Sequence, residues 1–400
     1  MDASLTGIRV ADFSWIAAGP YCTELMGFLG AEVVRFESAT RIDNYRRGIL
    51  TGDPHPDRQP QFNEMNLNKM SVRLDLGQPG ALDLAKTTVA ISDFVVENFR
   101  PGVMERLGLG YEALRLARPD IIMVSLSSCG ATGPERFSAG IANTFSALGG
   151  LGHMTGYPNG PPTMMLRSVD HRAGATACFA ALAALHHRQR TGEGQYIDLS
   201  AWEVVTCGIG EAVLEAAVTG VAPLRHANQD RIMAPHDCYP CRGEDGWVAI
   251  AVGDDEEWKG LRKALDEPPW MEDPRFADGY LRWKNREALD GFIAAWTRER
   301  TPAEAMRALQ AHGVAAVPSC DARSLYEDPH VRARGVFGEV THPEMGKRAV
   351  VGPPWKFSAT TARVQRPAPL LGQHTAHVIG ELLGLGQARV QELVKERVLN

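Results

Sequence analysis

The sequence predicts an α/β protein: a large domain on a mostly parallel sheet, followed by a smaller α/β or α+β domain. Three observations carry that expectation. Strand-like and helix-like segments alternate from the N-terminus to about residue 200, the pattern of a parallel sheet covered on both faces. The opening segment up to Glu37 reads as strand, short glycine turn, helix and strand, a right-handed βαβ unit. At 400 residues the chain also exceeds what one core usually supports.

Each element has its own signal. Ile8 to Phe13 reads as the first strand, Ala17-Ala18-Gly19-Pro20 as the turn, and Tyr21 to Leu29 as a helix. Gly30 is placed to end that helix in the left-handed conformation, and Glu32 to Glu37 reads as the second strand. Gly80 to Val89 reads as a helix, Asp93 to Glu97 as a strand, and Ile121 to Leu126 as a strongly apolar strand. An alanine-rich run from His171 to Leu185 predicts a buried or half-buried helix, and Tyr196 to Ser200 another strand. Residues 1–200 therefore read as one α/β domain.

The character then changes. Ala201 to Val218 is a helix rich in small residues, and a polar, irregular stretch follows from Pro223 to Pro240. Trp247 to Val252 reads as a strand and Asp254 to Leu265 as a helix. Asn285 to Ala311 reads as two helices broken near Thr301-Pro302, and Val314 to Val317 as a strand. The expected boundaries are a linker at 201–225, a small domain at 226–330 and a Pro-rich return linker at 331–369. Thr375 to Val394 reads as a terminal helix pair.

Composition excludes several classes. With 44% hydrophobic and 22% charged residues the chain is ordinary for a globular protein. A net charge of −6 argues against nucleic acid as a partner. No apolar run approaches the roughly 18 residues needed to cross a bilayer, and Asp2, Arg9 and Asp12 interrupt any signal-peptide pattern. Seven scattered cysteines fit a reducing compartment. The expectation is a cytoplasmic protein with no membrane and no nucleic-acid partner.

Candidate chemistry is sparse. Asp170 stands at the head of the alanine-rich helix, where unpaired N–H groups and partial positive charge collect. That position suits either a helix cap or a carboxylate nucleophile. The first βαβ turn lacks the Gly-x-Gly-x-x-Gly of a dinucleotide site, leaving a structural unit or another phosphate-bearing ligand. Cys238-Tyr239-Pro240-Cys241 has zinc-ligand or redox spacing, but no second ligand pair exists and its context is wrong for a redox motif. The twelve histidines show no metal-ligand pattern, so no metal is expected. Arg35, Arg41, Arg46 and Arg47 form either a solvated positive face or a phosphate-facing cluster.

Laid out in order, the glycine-marked segments resemble the class III CoA-transferases, a family that includes formyl-CoA transferase, carnitine CoA-transferases and the related α-methylacyl-CoA racemase. The matching segments are Ala18-Gly19-Pro20, Leu29-Gly30-Ala31-Glu32-Val33, Asn66-Leu67-Asn68-Lys69 and Glu97-Asn98-Phe99-Arg100-Pro101-Gly102. They continue with Leu107-Gly108-Leu109-Gly110-Tyr111, Thr132-Gly133-Pro134, Gly160-Pro161-Pro162, Asp170 with Gly174, Thr191-Gly192-Glu193-Gly194-Gln195 and Gly372-Gln373-His374-Thr375. The resemblance implies a Rossmann-like large domain completed by about residues 370–400, joined to a small domain, with two ring-shaped subunits interlocked as a homodimer. It implies acyl-CoA and small carboxylic acids as substrates, with no tightly bound cofactor.

The resemblance also implies roles. Asp170 would be the nucleophile that carries CoA as an aspartyl thioester. Ala17 and Ala18 would lie beside the pantetheine, Leu74 and Asp75 beside the nucleotide, Asn98, Phe99 and Arg100 against the diphosphate and adenine, and Arg106 at a phosphate. A strand-end Asn-Phe offers a backbone donor and a stacking face, and arginines suit phosphates. Arg167 and His171, with Arg172, are placed to meet a second carboxylate, which makes succinyl-CoA an expected donor.

Two departures stand out. The stretch before Asp170 is one residue shorter than the family's, making His171 a rival alignment. A glycine-rich flap is absent, and the segment from His226 to Pro240 would have to replace it. The racemase branch needs a histidine base where this chain has Ile141, and an isoleucine moves no proton. His153 is the nearest substitute. A catalytically silent CoA-binding protein is the third reading, since fold alone never proves activity.

Overall fold

A computed structural model describes residues 2–48, 51–165 and 168–399. The chain forms two compact units, one of residues 1–153, 163–223 and 330–400, the other of residues 154–162 and 224–329.

The first unit is built on six strands: β1 (Arg9–Asp12), β2 (Glu32–Glu37), β3 (Lys69–Arg73), β4 (Phe94–Glu97), β5 (Ile122–Ser127) and β6 (Tyr196–Ser200). Every neighbouring pair is parallel, in the order β3-β2-β1-β4-β5-β6. The chain winds outward from β1 to β3, then crosses back to lay β4 on the other side of β1. That reversal opens a crevice at the carboxyl ends of β1 and β4, where open α/β sheets bind their ligands.

Period-two alternation sorts the strand side chains onto two faces. Val10, Val33, Val96, Ile122 and Val124 enter one buried cluster with the first helix (Ala18–Phe28) and the long helix (Ser168–Thr191). Ala11, Val34, Val95, Ile121 and Met123 enter the other, with the helices Pro79–Ala90 and Tyr111–Ala117 and the C-terminal residues Val378 to Leu399. The first and long helices touch where Gly174 faces Ala18: a Cβ on Gly174 would stand 2.5 Å from the Ala18 carbonyl oxygen.

Two parts of this unit depart from expectation. The edge strand β3, with sequence Lys-Met-Ser-Val-Arg, carries no apolar run, because Lys69 and Ser71 are buried as hydrogen-bond partners of carboxylates. The stretch expected as a return linker instead contains an antiparallel hairpin, β10 (Phe337–His342) with β11 (Gly346–Val351). Val340 and Val350 from it join the first cluster, which explains why these residues are not a loop.

The second unit is an antiparallel sheet of β7 (His236–Pro240), β8 (Trp247–Ala251) and β9 (Ala315–Pro318), in that order. The helices Asp255–Ala264, Arg286–Arg298 and Pro302–Gln310 cover it around Trp258, Leu261, Phe276, Ile293 and Leu309. A capping box at Thr301 and Glu304 starts the last helix after the break. β7 lies inside the stretch expected to be irregular. Cys238 sits on it, paired across to Ala249, and Cys241 follows it buried. Among the described residues no His, Cys, Asp and Glu cluster is placed to hold a metal, and no helix is long and apolar enough to cross a membrane.

Candidate active site

The turn after β1 is held from three sides. Asp12 at the strand's end is fully buried, accepting from the Ser14 N–H and hydroxyl, from the Thr23 hydroxyl at 2.7 Å and from Lys69 Nζ at 3.1 Å. Burial pushes its carboxyl up, but Lys69, Arg35 and the two hydroxyls outweigh this and leave it below the ordinary value. Lys69 also donates to the Pro20 carbonyl at 2.8 Å and to Asn66 at 2.9 Å, tying β3 to the first helix. Next, Ile16 adopts φ +66°, a true outlier for a β-branched residue. Its N–H donates to Asp43 Oδ2 at 3.0 Å, the same oxygen that meets Arg35 Nη2 at 2.5 Å. Finally, Asn98 at the end of β4 bonds both the N–H and the carbonyl of Trp15.

This fixes the start of the first helix. Ala17 is its N-cap and offers no side-chain cap, so the positive end of the helix is left for a ligand. In front of it lies a cleft of about 310 Å³, lined by Ile16 to Ala18, Asn98 to Pro101, Leu126 to Ser128, Arg136, Ser138 to Ala142 and Asp170. It occupies the crevice at the β1–β4 reversal. Among the described residues, Asp170 is the one carboxylate in this lining, and Arg100 and Arg136 are its cations.

Asp170 does not cap the long helix. The helix begins at Ser168, so Asp170 is its third residue, in the first turn and half-buried. Burial raises its carboxyl above the ordinary aspartate value, and the neighbouring His171 opposes this. The contact of Gly174 with Ala18, one turn further on, sets the long helix against the first helix and brings Asp170 to the mouth of the β1 turn. The His171 ring packs edge-on against Tyr21, 4.7 Å between centroids, and does not line the cleft.

Of the other anticipated positions, Ala17, Ala18, Asn98, Phe99, Arg100 and Ile141 line the same cleft. Two of them are engaged differently from expectation. The Phe99 N–H already donates to Glu97 at 2.7 Å, so it is not an open donor. The Asn98 side chain is occupied by Trp15, so it shapes the turn. Leu74 and Asp75 stand outside the lining, on the same carboxyl edge but beyond β3. The Leu74 side chain is buried in the second cluster, and the Asp75 carboxylate accepts from Thr40 at 3.2 Å and from the Gly77 N–H. Arg106 ends a one-turn helix, Val103–Arg106, and is exposed. Arg167 lies outside the described residues.

The arginine cluster divides. Arg35 and Arg46 are neither solvated nor ligand-facing. They are fully buried, and Arg46 pairs with Glu37 at 2.7 Å and Asp57 at 2.5 Å. Arg41 and Arg47 are exposed. Sequence reasoning missed Arg136 and Ser127 in the lining. Arg136 follows the Thr132-Gly133-Pro134 turn with no local mark, whereas Ser127 was findable as the last residue of a central parallel strand.

A six-stranded parallel sheet in this order, with a cleft at the carboxyl ends of β1 and β4, defines a doubly wound α/β protein with its candidate ligand site at the strand-order reversal. The chain belongs to CoA-transferase family III, whose model matches residues 5–375. It is 34% identical over 396 residues to a succinyl-CoA–D-citramalate CoA-transferase of Chloroflexus aurantiacus, covering 99% of this chain and 98% of that one. It is 33% identical to a succinyl-CoA:mesaconate CoA-transferase of Haloarcula hispanica, covering 97% and 99%. A CaiB/BaiF family protein from Brucella suis superimposes with a TM-score of 0.87 at 27% identity, covering 96% of this chain and all of that one.

Proposed function

We propose that this enzyme transfers CoA from succinyl-CoA to a small carboxylic acid through a covalent thioester on Asp170. The observation that carries the reading is Asp170 itself: among the described residues the one carboxylate of the cleft, half-buried, in the same lining as the start of the first helix. Its carboxylate oxygen attacks the thioester carbon, the C–S bond breaks, and a succinyl–aspartyl anhydride and CoA thiolate result. The thiolate attacks the aspartyl carbonyl, releasing succinate and leaving aspartyl-CoA. The acceptor's carboxylate attacks this thioester, expelling thiolate and forming a new anhydride. Thiolate then takes the acceptor's acyl group, and the Asp170 carboxylate is restored. No net proton or electron is consumed, and one hard exchange becomes several of similar energy. The helix-start N–H groups are suited to the developing oxyanions.

Two features support dicarboxylic acids. The relatives named above act on succinyl-CoA with citramalate or mesaconate, and exposed Arg136 in the lining suits a second carboxylate. The racemase reading is disfavoured because Ile141 occupies the cleft where a base is needed. An interlocked homodimer is part of the proposal. Phe179 on the long helix is 74% exposed and Val218 on the helix Gly210–Thr219 is 77% exposed, apolar surface that suits a second copy.

The deciding experiment is mass spectrometry of the protein mixed with a panel of acyl-CoAs. The expected result is a CoA adduct on the peptide containing Asp170, strongest with succinyl-CoA and lost in Asp170→Ala. Undiminished turnover by Asp170→Ala overturns the mechanism, and α-proton exchange in deuterated water without transfer points to the racemase.

A further inference from the structure

We propose that Asp43, a buried carboxylate outside the cleft, is a positioning residue for CoA transfer: it holds Ile16 in the backbone conformation that shapes the lining shared with Asp170. The inference rests on the transferase reading above. Of the seven described non-glycine residues with positive φ, Ile16 alone is β-branched and alone lines the cleft. An isoleucine left to itself adopts negative φ, so a value of +66° persists only where the surroundings impose it. The hold is visible. The Ile16 N–H donates to Asp43 Oδ2 at 3.0 Å, one residue after Trp15, which Asn98 ties on both sides.

Asp43 is itself clamped. Only 3% exposed, it accepts from the Tyr45 N–H at 2.8 Å through Oδ1 and from Arg35 Nη2 at 2.5 Å through Oδ2. Arg35 is a fully buried residue of β2, in register with Asp12 on β1. Its Nε and Nη1 have no hydrogen-bond partner among the described residues, and Asp12 and Glu37 act on it as charges at 3.8 and 3.7 Å. Asp43 is therefore the acceptor through which the sheet reaches the turn: strand, guanidinium, carboxylate, Ile16 N–H. A charged acceptor fixed by three donors is stiff. Stiffness matters here because a misplacement of about 1 Å at a reacting centre can cost about 100-fold in rate. Asp43 is absent from the cleft lining and takes no part in the bond changes at Asp170.

The test separates the hold on Ile16 from the burial of Asp43 itself. Asp43→Ala is expected to lower kcat/KM with succinyl-CoA about 10- to 100-fold. It also strips Arg35 of its acceptor, so stability falls whatever the role, and the role is read from substitutions at Ile16. Glycine takes positive φ freely, whereas alanine does not. With Asp43 in place, Ile16→Ala and Ile16→Gly should agree in kcat/KM within about two-fold, because the carboxylate holds both. With Asp43→Ala added, Ile16→Gly should retain about ten-fold more kcat/KM than Ile16→Ala. If Asp43→Ala fails to fold, Asp43→Asn, whose neutral oxygen accepts more weakly, should give the same order with a gap of about three-fold. The same glycine-to-alanine ratio with and without Asp43 overturns the proposal and leaves Asp43 a purely structural acid. Wild-type turnover with no CoA adduct on Asp170 overturns the covalent mechanism instead, while the ratio still decides the role of Asp43.

Discussion

The Asn98 amide closes both sides of Trp15: its Oδ1 accepts from the Trp15 N–H at 2.7 Å and its Nδ2 donates to the Trp15 carbonyl at 2.8 Å. One side chain at the end of β4 thus stands in for a strand partner and sets the backbone that leads into the outlier at Ile16. Asn98→Ala should lower stability by about 2 kcal/mol, two hydrogen bonds at roughly 1 kcal/mol each. It should also raise KM for acyl-CoA. Asn98→Asp keeps the acceptor only and should lose about half as much. Chemical denaturation and steady-state kinetics on the two variants check this.

Gly174 tests the helix contact. A side chain there would press on the Ala18 carbonyl, so Gly174→Val should destabilise by about 1–3 kcal/mol. It should also lower kcat, because the first turn carrying Asp170 moves with the helix. Gly291, an exposed-helix glycine whose Cβ would meet nothing, is the control. Gly291→Ala should leave activity unchanged and stability equal or slightly higher.

The pH profile should report Asp170. The proposed nucleophile must be ionised to attack, and burial raises its carboxyl above the ordinary aspartate value. Activity therefore rises with pH through an acid limb lying above the ordinary aspartate range. His171 opposes the shift, so His171→Gln should move that limb to higher pH. A limb that stays put in this variant contradicts the assignment.

Glu97 gives a stability counterpart. Buried at the end of β4, it is pushed up from 4.5 to about 7, mainly by burial, while the Ser125 hydroxyl and Phe99 N–H hold it partly down. A raised folded-state pKa means the native protein binds the proton more tightly. The associated stability is full below pH 4.5 and is lost as pH rises through about 7, on the order of 3 kcal/mol in all. Glu97→Gln should flatten that slope relative to wild type, measured by urea denaturation at pH 5 and pH 7.5.

How much of this was legible depends on what locks each residue. The strands β1, β2, β4, β5 and β6 and the helices beside them announce themselves because their apolar side chains fill two clusters directly. β3 does not, since its two apolar residues, Met70 and Val72, alternate with Lys69 and Ser71, which are buried by meeting carboxylates distant in sequence. The same cause misled the reading of Arg35 and Arg46, whose partners at Asp12, Glu37, Asp43 and Asp57 only assemble in the fold. At the site, Asp170 was legible as a helix-head carboxylate from the alanine-rich run that follows it, while its proposed role came only from the family resemblance. Asn98 was marked but its work on Trp15 was not, because a side chain reaching across the sheet leaves no periodic trace. Arg136 was invisible because it follows the Thr132-Gly133-Pro134 turn in an irregular segment with no local mark.

The buried ion pairs under the β1 turn have an experimental use. Dissolved salt screens charges that face water over about 8–10 Å, but Asp12, Arg35, Arg46 and Lys69 are sealed from it. Added potassium chloride should therefore leave the foundation of the cleft untouched while weakening the grip of rim cations such as Arg100 and Arg136 on an anionic guest. Ionic strength becomes a dial that acts on capture and spares architecture.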